Sequence, residues 1–328
     1  MEVLAYSAGG VDLQINGALG LAFNRLDWSE AEKLGQVCRF LYDQGIDAFL
    51  PTLVTTDLQS LHRSLAVIEK VMAEEPEGAQ ILGVHLEGPF LHPAKRGAHP
   101  SQFLLPLTVE NAQRVIGDFA PLIRLMTMAP ELDSTGEAIC FLHNLGIKLS
   151  MGHTTCTWAE AQRAYRQGIH FVTHLFNAMP PLHHRQPGLV GFALSAPLWC
   201  GLIADGQHLH PQVVSLVYRL KQERLFVVSD ALAPLGLPPG TYPWDERSVT
   251  VTDNSCYLPD GTLAGTTLGL WGGALNLVRW GVCELEEAIR LAAINPRLAL
   301  ELPLPQEPSL VWYRAEGGTI GFARIGTR

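Results

Sequence analysis

The chain has 328 residues, 47% of them hydrophobic, and a net charge of −9. That length suffices for one large core or two unequal domains. The acidic balance and the scatter of the basic residues argue against a nucleic-acid partner.

Six cysteines, Cys38, Cys140, Cys156, Cys200, Cys256 and Cys283, form no C-x-x-C pair. They read as reduced, mostly packed cysteines of a cytoplasmic protein. No basic stretch followed by an apolar core opens the sequence, so no signal peptide is expected. The uncharged run 188–204 contains Pro197 and is short for a membrane span. It reads as a loop or short helix leading into a buried strand, and no membrane partner is expected.

In chain order, Val11 to Gly17 alternates apolar and polar residues and reads as a first strand. Ser29 is placed to cap a helix with apolar residues at Ala31, Leu34, Val37, Cys38 and Leu41, ended by Gly45. A second strand lies within 46–55, and a helix spans 58–73. The run Ile81 to Val84 reads as a buried third strand that closes on His85-Leu86-Glu87-Gly88-Pro89-Phe90. A basic loop, 91–102, follows. Thr108 caps the next helix, 122–130 is the fourth strand, and a helix lies around 136–145.

The fifth strand, Lys148 to Met151, runs into Gly152-His153. Thr157-Trp158-Ala159-Glu160 has the form of a capping box. The sixth strand ends at His174, the seventh spans 200–204, and Pro211 opens a helix to 222. The eighth strand, from Leu225, ends at Ser229-Asp230. Residues 247–251 and 256–258 read as an inserted hairpin. Residues 310–313 and 319–322, around Glu316-Gly317-Gly318, read as another. Helices near 271–281 and 285–293 close the pattern. Eight strands alternating with helices fit an α/β fold, a (β/α)₈ barrel, although this spacing alone also suits an open doubly wound sheet.

Glu87, His153, His174 and Asp230 thus stand at four strand ends. A buried carboxylate is costly unless paired or bound to a metal. Glu87, His153 and His174 form an oxygen–nitrogen–nitrogen set suited to zinc or another first-row divalent ion. Asp230 is the candidate general acid/base. His85 shares a strand face with Glu87 and reads as a supporting residue rather than a second ligand. Arg185 and His208, on loops after the sixth and seventh strands, read equally as surface residues or as rim residues that hold an anionic substrate group.

His-Leu-Glu-Gly-Pro-Phe (85–90), Gly-His-Thr (152–154), Thr-His-Leu-Phe-Asn-Ala-Met (173–179), Ala-Asp-Gly-Gln-His (204–208), Val-Ser-Asp-Ala (228–231) and Leu-Ala-Gly-Thr (263–266) occur in this order. As an ordered set they resemble the N-acetylglucosamine-6-phosphate deacetylase family of the amidohydrolase superfamily. The resemblance implies a (β/α)₈ TIM-like metal-dependent hydrolase barrel with a reduced small β domain. The barrel is expected over 10–300 with a β-hairpin insertion near 241–262, and 1–9 and 301–328 are expected as the remnant of a β-sandwich. It implies hydrolysis of the acetamide of N-acetylglucosamine 6-phosphate to glucosamine 6-phosphate and acetate, in a cytoplasmic homodimer. One divalent ion per subunit, zinc first with iron or another first-row ion as alternatives, is implied at Glu87, His153 and His174. Asp230 matches the acid/base, and His99 the residue that polarises the acetyl carbonyl. Ala98, Asn177, Ala178, Leu263, Ala264 and Gly265 match substrate contacts, and Arg185 and His208 match the phosphate contacts.

Gln14-Ile15-Asn16 stands where many amidohydrolases carry His-x-His, which argues for a single metal. Gln186 replaces a common acidic residue beside Arg185. The competing readings are another amidohydrolase acting on a cyclic amide or a different N-acyl sugar, and a non-catalytic barrel of the same family.

Overall fold

The structure is a computed structural model, and it describes residues 2–326 apart from Asp253. The eight expected strands form one parallel sheet: Gly10–Ile15, Ile46–Val54, Val84–Glu87, Ile123–Met128, Lys148–Met151, Ile169–Val172, Trp199–Leu202 and Leu225–Val227. Each pairs in parallel with its successor. Helices between them cover the outside, the arrangement a parallel sheet needs to bury both faces. The result is a nearly closed (β/α)₈ barrel, and the doubly wound alternative is excluded.

Helix starts follow local chemistry. Thr108 accepts from the Asn111 amide, and Thr157 and Glu160 form a complete capping box. Pro211 stands in the first turn of its helix. Ser29 does not cap: Asp27 does, accepting from the Ser29 amide at the start of a single turn that leads into helix Ala31–Asp43. An aspartate two residues earlier offers a carboxylate acceptor where Ser29 would offer only a hydroxyl. The uncharged run after Pro187 is a helix, Gly188–Ser195, followed by the seventh strand.

The barrel interior is layered. Val11, Leu13, Leu50, Leu125, Phe171 and Phe226 fill its lower part. Two residues further along the second, fourth and sixth strands, the inward side chains turn polar. Thr52 Oγ1 meets His85 Nδ1 at 3.1 Å, His85 Nε2 meets Thr127 Oγ1 at 2.7 Å, and Thr173 Oγ1 meets both Thr127 and Ser150 at 2.6 Å. The site rests on this girdle. Burial pushes the His85 pKa down to about 4, so a neutral ring lies beneath it.

No strand pairing joins the first strand to the eighth among the described residues. At the top, Asp230 N–H donates to the Gln14 carbonyl (2.9 Å) and Asn16 N–H to the Ala231 carbonyl (2.7 Å). At the bottom, Asn295 Nδ2 donates to the Leu225 carbonyl (2.6 Å) and Arg297 Nη1 to the Gly9 carbonyl (2.9 Å).

The insertion is larger than a hairpin. Gly240–Trp244, Arg247–Thr252, Ser255–Tyr257 and Leu263–Thr266 make a four-stranded antiparallel sheet. Val249, Val251, Cys256 and Leu258 pack with Leu232 to give it its own small core. At the barrel floor, Glu2–Ser7 pairs with Leu310–Arg314, which pairs with Ile320–Arg324. Met1, Thr327 and Arg328, at the ends of the expected β remnant, lie outside the described residues. Asp47 binds this sheet to the barrel: it accepts from Arg324 Nη1 (2.5 Å), Arg297 Nη2 (3.1 Å), Ser309 Oγ (3.1 Å) and Gly9 N–H (2.7 Å). Trp312, on this sheet, and Trp271 pack edge to face with ring centroids 4.7 Å apart.

Candidate active site

At the C-terminal ends of the third, fifth and sixth strands, Glu87, His153 and His174 converge. Glu87 Oε1 lies 3.2 Å from His153 Nε2 and 3.1 Å from His174 Nε2, and the two nitrogens are 3.1 Å apart. All three side chains are buried. The histidines reach inward because the chain turns left-handed at each strand end, with φ of 49° at His153 and 29° at His174. Such backbone is costly for a non-glycine residue and collects at functional sites.

The triangle suits a cation. His153 Nδ1 lies 2.9 Å from the Lys95 carbonyl, which can only accept, so Nδ1 carries a proton. In a neutral ring, the Nε2 lone pair then faces the Glu87 carboxylate, acceptor against acceptor. A divalent ion between them relieves that conflict. Tetrahedral zinc needs its donors about 3.3 Å apart, close to the edges found. The carbonyl behind His153 is the kind of partner that orients a ligand histidine. His174 Nδ1 is buried and has no hydrogen-bond partner among the described residues.

Asp230 stands opposite, beyond the eighth strand, with φ of 47°. Gln14 bridges it to the triangle: Nε2 donates to Glu87 Oε1 (3.1 Å) and to Asp230 Oδ1 (3.2 Å). Asn16 Nδ2 donates to the same Asp230 oxygen at 2.7 Å. Burial, and then the charge of Glu87, push the Asp230 pKa up. Gln14 and Asn16 are legible in the sequence as replacements for metal ligands. Their work as donors was not, since it depends on the seam.

His99 is buried with its ring 4.6 Å from that of His153. The Thr55 amide lies 3.3 Å from His99 Nδ1, and Thr55 Oγ1 lies 2.9 Å from it. An amide can only donate, so Nδ1 accepts and the ring proton sits on Nε2. Burial, then the neighbouring His153, push the His99 pKa down to about 3, so the ring is a neutral donor. Thr55 carried no sequence signal beyond its place at a strand end. Beside His99, the Ala98 carbonyl accepts from Arg247 Nη2 (2.7 Å), whose guanidinium is held by Asp245. The inserted sheet is thereby clipped onto the His99 loop.

These groups open on a cavity of about 560 Å³. Ala98, Asn177, Ala178, His208, Leu263 and Ala264 line it together with His99, Asp230 and the triangle. Asp205 Oδ2 accepts from His208 Nδ1 at 2.7 Å, leaving Nε2 unengaged by that contact. Asn16, Arg25, Thr55 and Trp244 also line the cavity. Gly265 stands behind the lining: a Cβ there would come within 2.8 Å of the Asp230 carbonyl. Arg185 is exposed and outside the lining. Its loop, bounded by Pro180, Pro181 and Pro187, is exposed through most of its length.

No family model matches the chain. The N-acetylglucosamine-6-phosphate deacetylase of Bos taurus is 36% identical over 303 residues, covering 90% of this chain and 74% of the relative. The N-acetylgalactosamine-6-phosphate deacetylase of Escherichia coli O157:H7 is 33% identical over 254 residues, covering 77% and 67%. The crystal structure of N-acetylglucosamine-6-phosphate deacetylase from Thermotoga maritima superposes with a TM-score of 0.84 at 30% identity, covering 97% of this chain and 86% of that one. Sequence and structure agree across the barrel, and the chain belongs to the N-acetylglucosamine-6-phosphate deacetylase family.

Proposed function

We propose that the protein hydrolyses the acetamide of N-acetylglucosamine 6-phosphate to glucosamine 6-phosphate and acetate. The observation that carries this reading is the Glu87–His153–His174 triangle joined through Gln14 to a buried Asp230 whose pKa is pushed up. The three ligands hold one divalent ion, zinc first, with iron or another first-row ion as alternatives. When bound, that ion supplies Lewis acidity for the acetyl carbonyl and makes water more acidic. Asp230 takes a proton from the attacking water and returns it to the sugar nitrogen as the C–N bond breaks. The raised pKa of Asp230 suits a group that must both accept and donate. His99 donates from Nε2 to the acetyl oxygen as charge develops there. Ala98, Asn177, Ala178, Leu263 and Ala264 hold the sugar, with Gly265 supporting that segment, and His208 holds the phosphate.

The name of the E. coli relative favours the galacto epimer as a second reading. The test is an assay of purified protein, scoring acetate and free amine, with both N-acetylhexosamine 6-phosphates and their unphosphorylated forms. Lack of turnover on either phosphorylated sugar by metal-loaded protein overturns the proposal. Division into a barrel over 10–300 and a small β domain from 1–9 and 301–328 belongs to the proposal. So does a homodimeric, cytoplasmic enzyme, which rests on the family resemblance. No described helix is long and apolar enough to cross a membrane.

A further inference from the structure

The seam between the first and eighth strands holds a carboxylate that this reaction leaves unused. Asp12 is 2% exposed, flanked in sequence by Val11 and Leu13 of the apolar barrel interior. A carboxylate is costly there, and burial pushes its pKa up to about 7. Its contacts show what it does. Asp12 Oδ1 accepts from the Ser229 amide at 3.2 Å and from the Gln14 amide at 3.3 Å. Ser229 immediately precedes Asp230 just beyond the eighth strand, and Gln14 is the donor that links Asp230 to Glu87. One oxygen therefore holds the backbone of both partners, from opposite sides of a seam without strand pairing.

The rest of the seam depends on the same alignment. The Gln14 carbonyl accepts from the Asp230 amide at 2.9 Å. The Asp230 backbone is left-handed, a conformation that persists only where its surroundings impose it. Loss of the Asp12 acceptor would leave the Ser229 amide without that buried partner. It would also free the two strand ends to slide relative to each other.

We propose that Asp12 is a positioning residue for Asp230, setting across the seam the distance between the Asp230 carboxylate and the Glu87 site. The proposal rests on Asp230 being the acid/base. It concerns the place of an oxygen atom rather than its charge, and the variants are chosen to separate the two. Asp12→Val removes the acceptor. Asp12→Glu keeps a carboxylate but moves it by one methylene. Asp12→Asn keeps an oxygen in place without the charge.

The experiment measures kcat, KM, metal content and thermal unfolding for these three and for Asp230→Asn, all as metal-loaded full-length protein. Misplacement by about 1 Å can cost on the order of 10²-fold in rate. Asp12→Val is expected to lose kcat on that scale and Asp12→Glu about tenfold or more. KM and metal content should stay near normal, because the three ligands come from other strands, and Asp12→Asn should recover most of kcat. If Asp12→Val does not fold, the Glu and Asn pair decides alone. Normal kcat in Asp12→Glu, or an Asn variant as impaired as Glu, overturns the proposal. A purely structural role is shown, and the proposal overturned, if unfolding temperature falls while kcat per folded molecule is unchanged. Normal kcat in Asp230→Asn overturns the acid/base reading and this inference with it. Collapse in Asp230→Asn with normal kcat in Asp12→Glu overturns this inference alone.

Discussion

His153 and His174 bring their Nε2 atoms to 3.1 Å from each other, with the Glu87 carboxylate at almost the same distance from both. Such convergence of acceptors is stable around a cation. Glu87→Gln and His174→Ala should each weaken metal binding by at least about tenfold, since even residues behind a ligand cost 10–100-fold. Elemental analysis after dialysis checks this, and full metal content in both variants would sink the site.

Asp230→Asn keeps the shape of the side chain and loses its basicity. Removing a positioned acid/base costs on the order of 10²–10⁴-fold, so kcat should fall in that range. Metal content should persist, because Asp230 is outside the triangle. Single-turnover rates and metal analysis on one preparation decide it.

His208 lines the cavity and Arg185 does not. His208→Ala should therefore raise KM for the phosphorylated sugar much more than for its unphosphorylated form. Arg185→Ala should have the smaller effect. Steady-state kinetics on both sugars would show the reverse order if Arg185 carries the phosphate.

Cys140 is exposed, whereas Cys38, Cys156 and Cys256 are buried with thiols pushed up to about 12 and Cys200 to about 11. Cys283 is half-buried, and burial pushes it to about 12 as well. Only thiolates alkylate readily. Iodoacetamide at pH 8 should label Cys140 first in the native protein, by peptide mass analysis, and the other five after denaturation.

Asp47 is the shared acceptor of two largely buried guanidiniums, Arg297 and Arg324. Removing one partner of a buried pair costs about 3–5 kcal/mol. Asp47 is partly exposed, so Asp47→Ala should destabilise by about 2–3 kcal/mol. Denaturant unfolding measures that cost, while kcat of the folded fraction should hold, because Asp47 lies at the barrel floor.

Strand ends were the legible part of this site. Glu87, His153, His174 and Asp230 each close a short apolar run, and period-two burial leaves few other places for such a side chain. His99 and the cavity-lining residues of the loops came from the ordered motifs instead. Residues whose function depends on the first strand meeting the eighth were not legible. Asp12, Gln14 and Asn16 lie more than 200 positions from Ser229 and Asp230, and no local pattern records that meeting. Thr55 and His99 illustrate the same limit across 44 positions. Arg185 shows the converse, since a loop residue can match a motif and still stand outside the cavity lining. The full size of the insertion is not legible because Gly240–Trp244 lacks an apolar alternation strong enough to mark a strand, with Gly240 and Pro243 both within it.

The floor sheet imposes an order on the making of this protein. Glu2 pairs opposite Arg314, so Glu2–Ser7 leaves the ribosome roughly 300 residues ahead of its partner. At 5–20 residues per second, it waits on the order of 15–60 s with a bare edge, the state most open to pairing with another chain. The barrel strands can meet their neighbours during that interval, while Asp47 still lacks Arg297 and Arg324. Leu310–Arg314 and Ile320–Arg324 thus complete the floor only after the barrel strands are made, and yield in a heterologous host should depend on how fast the ribosome reaches them.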